Sequence, residues 1–244
     1  MNILKTNWFV RWNINRQKIQ RYSSQQRAPF FDLAISYLQS GPIKVIDIGC
    51  GFSDFAERVQ QRNADAMIWM FDGNPMTVEK LIERGRNAAI YYAPNRLPFN
   101  NCDVEFIHCS HLIEHLFPQC LYSLLEEFDR VLAKGGVLAI SAPLMWERFY
   151  DDLSHIRPYP PNVLDKYLTT LNIDMSFTRK SIGNFRREAL FYRFIKQPVF
   201  SYYGLRSENW LIDFGILGLK KIAKVIGLYS SPIQVVELLL HYLN

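Results

Sequence analysis

With 244 residues, 49% of them hydrophobic and 21% charged, the chain suits one large domain with a full core and is not a disordered or fibrous protein. The net charge of +5 is compatible with an anionic partner but too small to argue for one. The cysteines, Cys50, Cys102, Cys109 and Cys120, have no C-x-x-C spacing, which argues against a disulfide framework or thiolate zinc site and suits a reducing compartment. The first twenty residues lack the apolar core of a signal peptide, and no run is long enough to span a membrane, so a cytoplasmic protein is expected.

Residues 1–28 form a basic arm with Trp8, Phe9, Trp12 and Tyr22, in which the pattern predicts a helix over about Ile14–Tyr22. A second helix is expected from Pro29 to Leu38, stopped by Gly41-Pro42. The chain is organised around the stretch that follows. Val45-Ile46-Asp47-Ile48 is an apolar, β-branched run, Gly49-Cys50-Gly51 is a tight turn, and Asp54 to Val59 has helical spacing with a capping-box pattern at Asp54 and Glu57. Glycines here let a ligand approach the main chain. A dinucleotide fold would want a third glycine where Asp54 stands.

A second strand, Ala66–Phe71, ends at Asp72-Gly73-Asn74-Pro75. Asp72 lies about twenty residues past the glycine loop, where doubly wound folds place an acid against ribose hydroxyls. A helix N-cap is the other role open to this turn. A third strand over Ala88–Tyr92 leads into Ala93-Pro94-Asn95-Arg96-Leu97-Pro98-Phe99, and a fourth, Asp103–His108, into Cys109-Ser110-His111-Leu112-Ile113-Glu114-His115. A helix ending Arg130-Val131-Leu132 and the turn Gly135-Gly136 precede a fifth strand, Val137–Ser141. Then come His155-Ile156-Arg157, a helix over about Pro161–Leu171 and an alternating strand from Ile173 to Ile182. Apolar residues with lysines between Leu211 and Leu228, and a one-sided apolar run from Ser231 to Leu243, read as an amphipathic helical tail.

The order of these elements resembles the class I S-adenosylmethionine-dependent methyltransferases over about 100 residues, Ile43 to Pro143. Asp47, Gly49 and Gly51 match the first motif, with Ser53 in place of its last glycine. Leu97-Pro98-Phe99 matches the third loop, with Ala93 at its acidic position. Glu114-His115 matches the pair after the fourth strand, and the Arg-Val-Leu-x-x-Gly-Gly turn matches the motif before the fifth. The resemblance implies a three-layer α/β sandwich with a mostly parallel seven-stranded sheet. It also implies a domain over 29–197 and a helical C-terminal extension over 198–244. The antiparallel seventh strand is expected either within Phe185–Ile195 or replaced by the tail.

S-adenosyl-L-methionine is the implied cofactor, held by Asp47, Gly49, Gly51, Asp72, Gly73, Asn74, Ala93, Pro94, Ser110 and His111. Tyr22 or Arg27 of the arm could also reach the pocket. His115 is the candidate base, with Glu114 to orient it and His155 beside them. His111-x-x-Glu114-His115 also spells a zinc-peptidase motif, but Pro118 cuts short the long helix that motif requires. Glu114, His115 and a histidine such as His155 could hold a divalent ion, as in some 2'-O-methyltransferases acting on small-RNA ends. Those enzymes carry Glu where His111 stands, imidazole is a poor partner for Mg²⁺, and no metal is assigned.

The expected activity is O-methylation of a small molecule or of a sugar of a bacterial surface glycan. RNA 2'-O-methylation and a scaffold without catalysis are the alternatives. Nucleic acid is not the expected partner; a homodimer and peripheral contact of the tail with the inner membrane are compatible with the pattern.

Overall fold

The structure is a computed structural model that describes residues 19–23, 29–169 apart from 53 and 147, and 181–194 apart from 183. Of the remainder it describes 197, 198, 215, 217–219, 221, 222, 225, 229, 230 and 233–243. The chain runs β1 (Ile19–Ser23), α1 (Pro29–Ser36), β2 (Lys44–Ile48), α2 (Asp54–Arg62), β3 (Met67–Asp72), α3 (Pro75–Glu83), β4 (Ala88–Ile90) and β5 (Val104–Ser110). A single 3₁₀ turn (Ile113–His115) follows, then α4 (Pro118–Val131), β6 (Leu132–Pro143), a second short turn (Phe149–Asp151), α5 (Pro161–Leu168), β7 (Phe185–Phe194), β8 (Gln197–Pro198), β9 (Tyr229–Ser230) and β10 (Ile233–Tyr242).

Eight strands form one sheet in the order β1-β7-β10-β6-β5-β2-β3-β4, and β8 pairs separately with β9. Every pair in the large sheet is parallel except those of β10, which runs antiparallel to both β6 and β7. Seven strands reproduce the expected sheet, and β1 adds an eighth at its edge.

Alternate residues of the strands feed two cores. On one face Ile46, Ile48, Ile107, Leu138 and Ile140 meet Leu121, Leu124, Leu125 and Phe128 of α4 and Leu164 and Leu168 of α5. On the other, Val45, Phe106, Val137 and Ala139 meet Phe30 and Ala34 of α1 and Phe55 and Val59 of α2. The spacing 121, 124, 125, 128 is one helical face, and each such side chain, fully buried, contributes about 1.5–3 kcal/mol. Among the described residues no helix is long and apolar enough to cross a membrane.

Three expectations are corrected. The run read as a last helix is β10, a strand in the interior of the sheet. Its Val236, Leu238, Leu240 and Tyr242 enter the α4 core while Leu239 enters the α1 core. Burial on both faces makes a strand continuously apolar, which the helical template also fits. The tail therefore completes the domain, and the boundary at 198 does not hold for residues 233–242. The predicted helix over Ile14–Tyr22 overlaps β1, which pairs in parallel with β7 from Ile19↔Leu190 to Ser23↔Phe194. Here a tertiary pairing overrides local propensity. Of the two places expected for the antiparallel seventh strand, the first, Phe185–Ile195, is instead β7, which pairs in parallel with β1, and the second, the tail, supplies it as β10.

Residues 1–18, with the start of that helix, Arg27, and 173–180 of the expected sixth strand lie outside the described residues. In the expected helix over 211–228, the described residues 215, 217–219, 221, 222 and 225 are helical.

Candidate active site

The loops after β2, β3, β4, β5 and β6 all leave the carboxyl ends of parallel strands, so they share one edge of the sheet, where doubly wound folds bind ligands. At the centre is the glycine loop. Gly49 has φ +67°, and a Cβ there would lie 2.2 Å from the Ser110 carbonyl oxygen at the end of β5. Only glycine lets these two strand ends approach so closely. Gly51 has φ +51° with open space around it, so its backbone angle, not crowding, asks for glycine. The loop is held from β3, where the Phe71 carbonyl accepts from Gly49 N (2.9 Å) and Cys50 N (3.3 Å).

Asp72 ties the loop to the next one. Its Oδ2 accepts from Gly51 N (2.9 Å) and its Oδ1 from Asn74 N (2.8 Å). Each oxygen keeps a lone pair, so the carboxylate can still accept from two vicinal hydroxyls. The cap role falls to Asn74, whose side chain accepts from Met76 N at the start of α3. Gly73 is not demanded by space, since a Cβ there would sit 3.7 Å from Tyr91 and Tyr92 atoms.

Asp47 lies at the inner end of the loop, on β2. It is fully buried and bonds His108 Nδ1 at 2.7 Å, while the His108 ring stacks on Phe55 with centroids 4.1 Å apart. The acid thus ties β2 to β5 just before the glycine loop. Asp54 is the first residue of α2, so it and Glu57 lie in the first turn, where carboxylates suit the helix dipole.

The loop after β4 holds half-buried Ala93 and Pro94, joined by a cis peptide bond, and the Tyr91 hydroxyl donates to Asn95 O at 2.7 Å. A clamp from α4 that sequence reasoning missed fixes this loop. Glu127 accepts from Leu97 N (2.7 Å) and from two nitrogens of Arg130 (2.6 and 2.8 Å), and Arg130 also donates to the carbonyls of Phe99 (2.9 Å) and Leu97 (3.3 Å). Burial works to raise the Glu127 carboxyl, but these hydrogen bonds outweigh it and hold the group below its ordinary value. The i,i+3 spacing of Glu127 and Arg130 was the available signal.

After β5 the chain turns through His111, at φ +47°, whose N–H donates to Ser141 O (2.8 Å). The 3₁₀ turn then places Glu114 in the interior with no exposed surface and neither oxygen hydrogen-bonded. Three imidazoles surround it. His111 Nδ1 is 3.4 Å and His115 Nε2 3.9 Å from Glu114 Oε1, and the His115 and His155 rings lie 4.9 Å apart. His115 Nδ1 donates to Ser154 O (3.1 Å) and His155 Nδ1 to Phe149 O (2.5 Å). A carbonyl only accepts, so when neutral both rings carry their lone pair on Nε2. The segment bearing His155 is strapped down by Ile156 N donating to Glu114 O (2.9 Å). Glu114 is thus close to His115, but the Ser154 carbonyl is what orients the ring.

Beside this turn a cavity of about 400 Å³ opens between α4 and α5, lined by Pro118, Tyr122, Tyr159 and Tyr167 among others. The Tyr159 hydroxyl donates to Leu116 O (2.8 Å), one residue past His115. The Cys50 and Cys109 thiols are pushed up by burial and play no nucleophilic part.

A family model for a methyltransferase domain matches residues 46–140, the span from the glycine loop to β6. Residues 46–140 are thus similar to a methyltransferase domain. A SAM-dependent methyltransferase from Archaeoglobus fulgidus has a similar fold, with TM-score 0.59 and 20% identity over 86% of this chain and 90% of that one. A probable pectin methyltransferase of Arabidopsis thaliana is 29% identical over 48% of this chain and 17% of its own length. A trans-aconitate 2-methyltransferase of Mycobacterium sp. (strain KMS) is 26% identical over 53% of this chain and 49% of its own. The chain thus spans under a fifth of the plant relative and about half of the mycobacterial one. The residues at this edge fit S-adenosylmethionine, because Asp72 retains acceptor capacity beside a glycine loop with room at Gly51.

Proposed function

We propose that this protein transfers a methyl group from S-adenosylmethionine to an oxygen of a small molecule or sugar. When bound, the cofactor supplies a methyl group activated by its sulfonium. In this reading Asp72 accepts from the ribose hydroxyls, the glycine loop and Asn74 border the cofactor, and Ala93 and Pro94 give the adenine an apolar seat. Ser110 and His111 border the methyl end. The observation that carries the reading is the pairing, on one sheet edge, of the Asp72-bound glycine loop with imidazoles whose Nε2 lone pairs are set by carbonyl hydrogen bonds. Positioning supplies most of methyl transfer, and a lone pair that helps to remove a hydroxyl proton supplies the rest.

Relatives named for pectin and trans-aconitate, both oxygen-rich, favour an oxygen acceptor. The tyrosine-lined cavity beside the turn supports a ring-shaped polyhydroxylated one, since tyrosine joins an apolar face to a hydrogen-bonding tip. Exposed Leu217, Leu219, Ile222 and Val225 around exposed Lys221 fit peripheral contact with an anionic membrane, where a surface-glycan precursor would be met from the cytoplasmic side.

Calorimetric titration with S-adenosylhomocysteine, followed by labelled methyl transfer to sugars, organic acids and RNA, tests the proposal. Micromolar binding with label on a sugar or acid oxygen supports it. Label on RNA would replace the acceptor, and absence of binding would favour a scaffold without catalysis.

A further inference from the structure

The cavity between α4 and α5 is lined in two ways. Leu121, Leu125 and Val163 make part of it apolar, and Tyr122 and Tyr167 form a corner, their rings 5.8 Å apart and inclined at 80°. A volume of about 400 Å³ suits a small ligand and not a length of polymer. Tyr159 is only 3% exposed and spends its hydroxyl on Leu116 O, so its ring serves as a wall and fastens the cavity to the turn that carries His115. Perpendicular aromatic faces match the C–H faces of a sugar ring. Exposed Gln119 adds an amide that can both donate and accept.

Two cations rest on this lining. The Arg157 guanidinium lies 5.2 Å from the Tyr159 ring centroid, and the Lys166 ammonium 5.8 Å from that of Tyr167. Among the described residues neither has a carboxylate within ion-pair distance, whereas Arg130, Arg148 and Arg187 each have one. Packing on a ring orders a long side chain in advance and leaves its N–H donors for a ligand. Arg157 is fixed further, because its backbone N–H and that of Ile156 donate to Glu114 O at 3.3 and 2.9 Å. The cation and the candidate base His115, next to Glu114, are thereby held by the same carbonyl.

We propose that the cavity takes an acidic sugar, with its ring on Tyr122 and Tyr167 and its anionic group, a carboxylate or a phosphate, on Arg157 and Lys166. That this sugar is the methyl acceptor rests on the methyltransferase reading; its binding does not. A guanidinium offers paired donors to either anion, and a lysine adds a point charge without fixed geometry. The site selects by charge as well as by shape, so a neutral sugar of the same outline binds less tightly.

The test is calorimetric titration of the full chain at low ionic strength with D-glucuronate, D-galacturonate, glucose-1-phosphate, D-glucose and inorganic phosphate. At least one acidic sugar is expected to bind at least ~10-fold more tightly than glucose and than inorganic phosphate. Arg157→Gln and Lys166→Gln each reduce that affinity by about 3–10-fold and leave glucose unchanged. Tyr167→Ala weakens acidic and neutral sugars alike. Circular dichroism checks folding, and should Tyr167→Ala not fold, the glutamine variants carry the test. A preference for a uronate or for the sugar phosphate supports the site and names its anionic group. Acidic sugars that do not bind, or bind no better than glucose or inorganic phosphate, overturn it, as does an Arg157→Gln/Lys166→Gln double variant that binds like wild type. Parallel titration with S-adenosylhomocysteine separates the two readings. Cofactor-product binding without acidic-sugar binding overturns only the sugar site, whereas acidic-sugar binding without it supports the site and removes its assignment to methyl transfer.

Discussion

The two halves of the sheet edge are built on opposite principles. In the half around β2 and β3, where we propose the cofactor binds, backbone groups do the work: Gly51 and Asn74 N–H meet Asp72, and Gly49 and Cys50 N–H meet the Phe71 carbonyl. Its polar groups are matched, and its geometry follows from where glycine is tolerated. In the half after β5 and β6, where we propose the acceptor binds, side chains dominate, and a fully buried carboxylate sits among three imidazoles without a hydrogen bond of its own. The first half is tied together by hydrogen bonds to one carboxylate and one carbonyl, and the second is built from side chains, so changes in the two should separate affinity from turnover.

The largest expected effect is His115→Ala, which should lower turnover by about 10²–10⁴-fold while S-adenosylhomocysteine affinity stays within about twofold. Steady-state kinetics beside calorimetry would show it, and a parallel loss of affinity would break the division. Gly49→Ala should destabilise the fold by at least about 3 kcal/mol, because the new Cβ meets a backbone oxygen of β5 that cannot withdraw. Gly51→Ala, with open space and only an unfavourable φ, should cost about 1–2 kcal/mol, and thermal unfolding of the pair sharpens the contrast.

Asp72→Ala should weaken cofactor-product binding by about 10–100-fold through lost charge-assisted hydrogen bonds, with any residual turnover seen at saturating cofactor. The smallest effect is in pH. The Glu127 carboxyl is held below its usual 4.5, so its clamp on Leu97 contributes fully above that pH and is lost as pH falls toward the depressed folded value. Melting temperatures between about pH 6 and 3 should fall less steeply in Glu127→Gln.

Much of this was legible in sequence because the alternation from Val45 to Ser141 is local: each strand, turn and helix signals itself within about fifteen residues. Gly49, Gly51 and Asp72 were singled out by spacing and by family resemblance, and two of them, Gly51 and Asp72, are hydrogen-bonded to each other. The reason for Gly49 was not legible, because it is Ser110, sixty-one residues away. The burial of Asp47 was not legible either, because its partner His108 lies on a neighbouring strand. β1 and β10 failed for one shared cause. Their identity as strands rests on pairing with β7 and β6, distant in the chain, while their own patterns are neutral or misleading.

The placement of β10 has a consequence for biosynthesis. It lies between β6 and β7, so β7 cannot join the sheet until residues 233–242 have left the ribosome. From Phe194 to Ile233 is about forty residues, or roughly 2–8 seconds of elongation at about 5–20 residues per second. During that interval the edge of β6 is unpaired and its apolar residues await cover, a template for aggregation. A nascent chain stalled between these points should engage general chaperones that the completed one no longer needs, so the yield of folded protein depends on how quickly its closing strand is delivered.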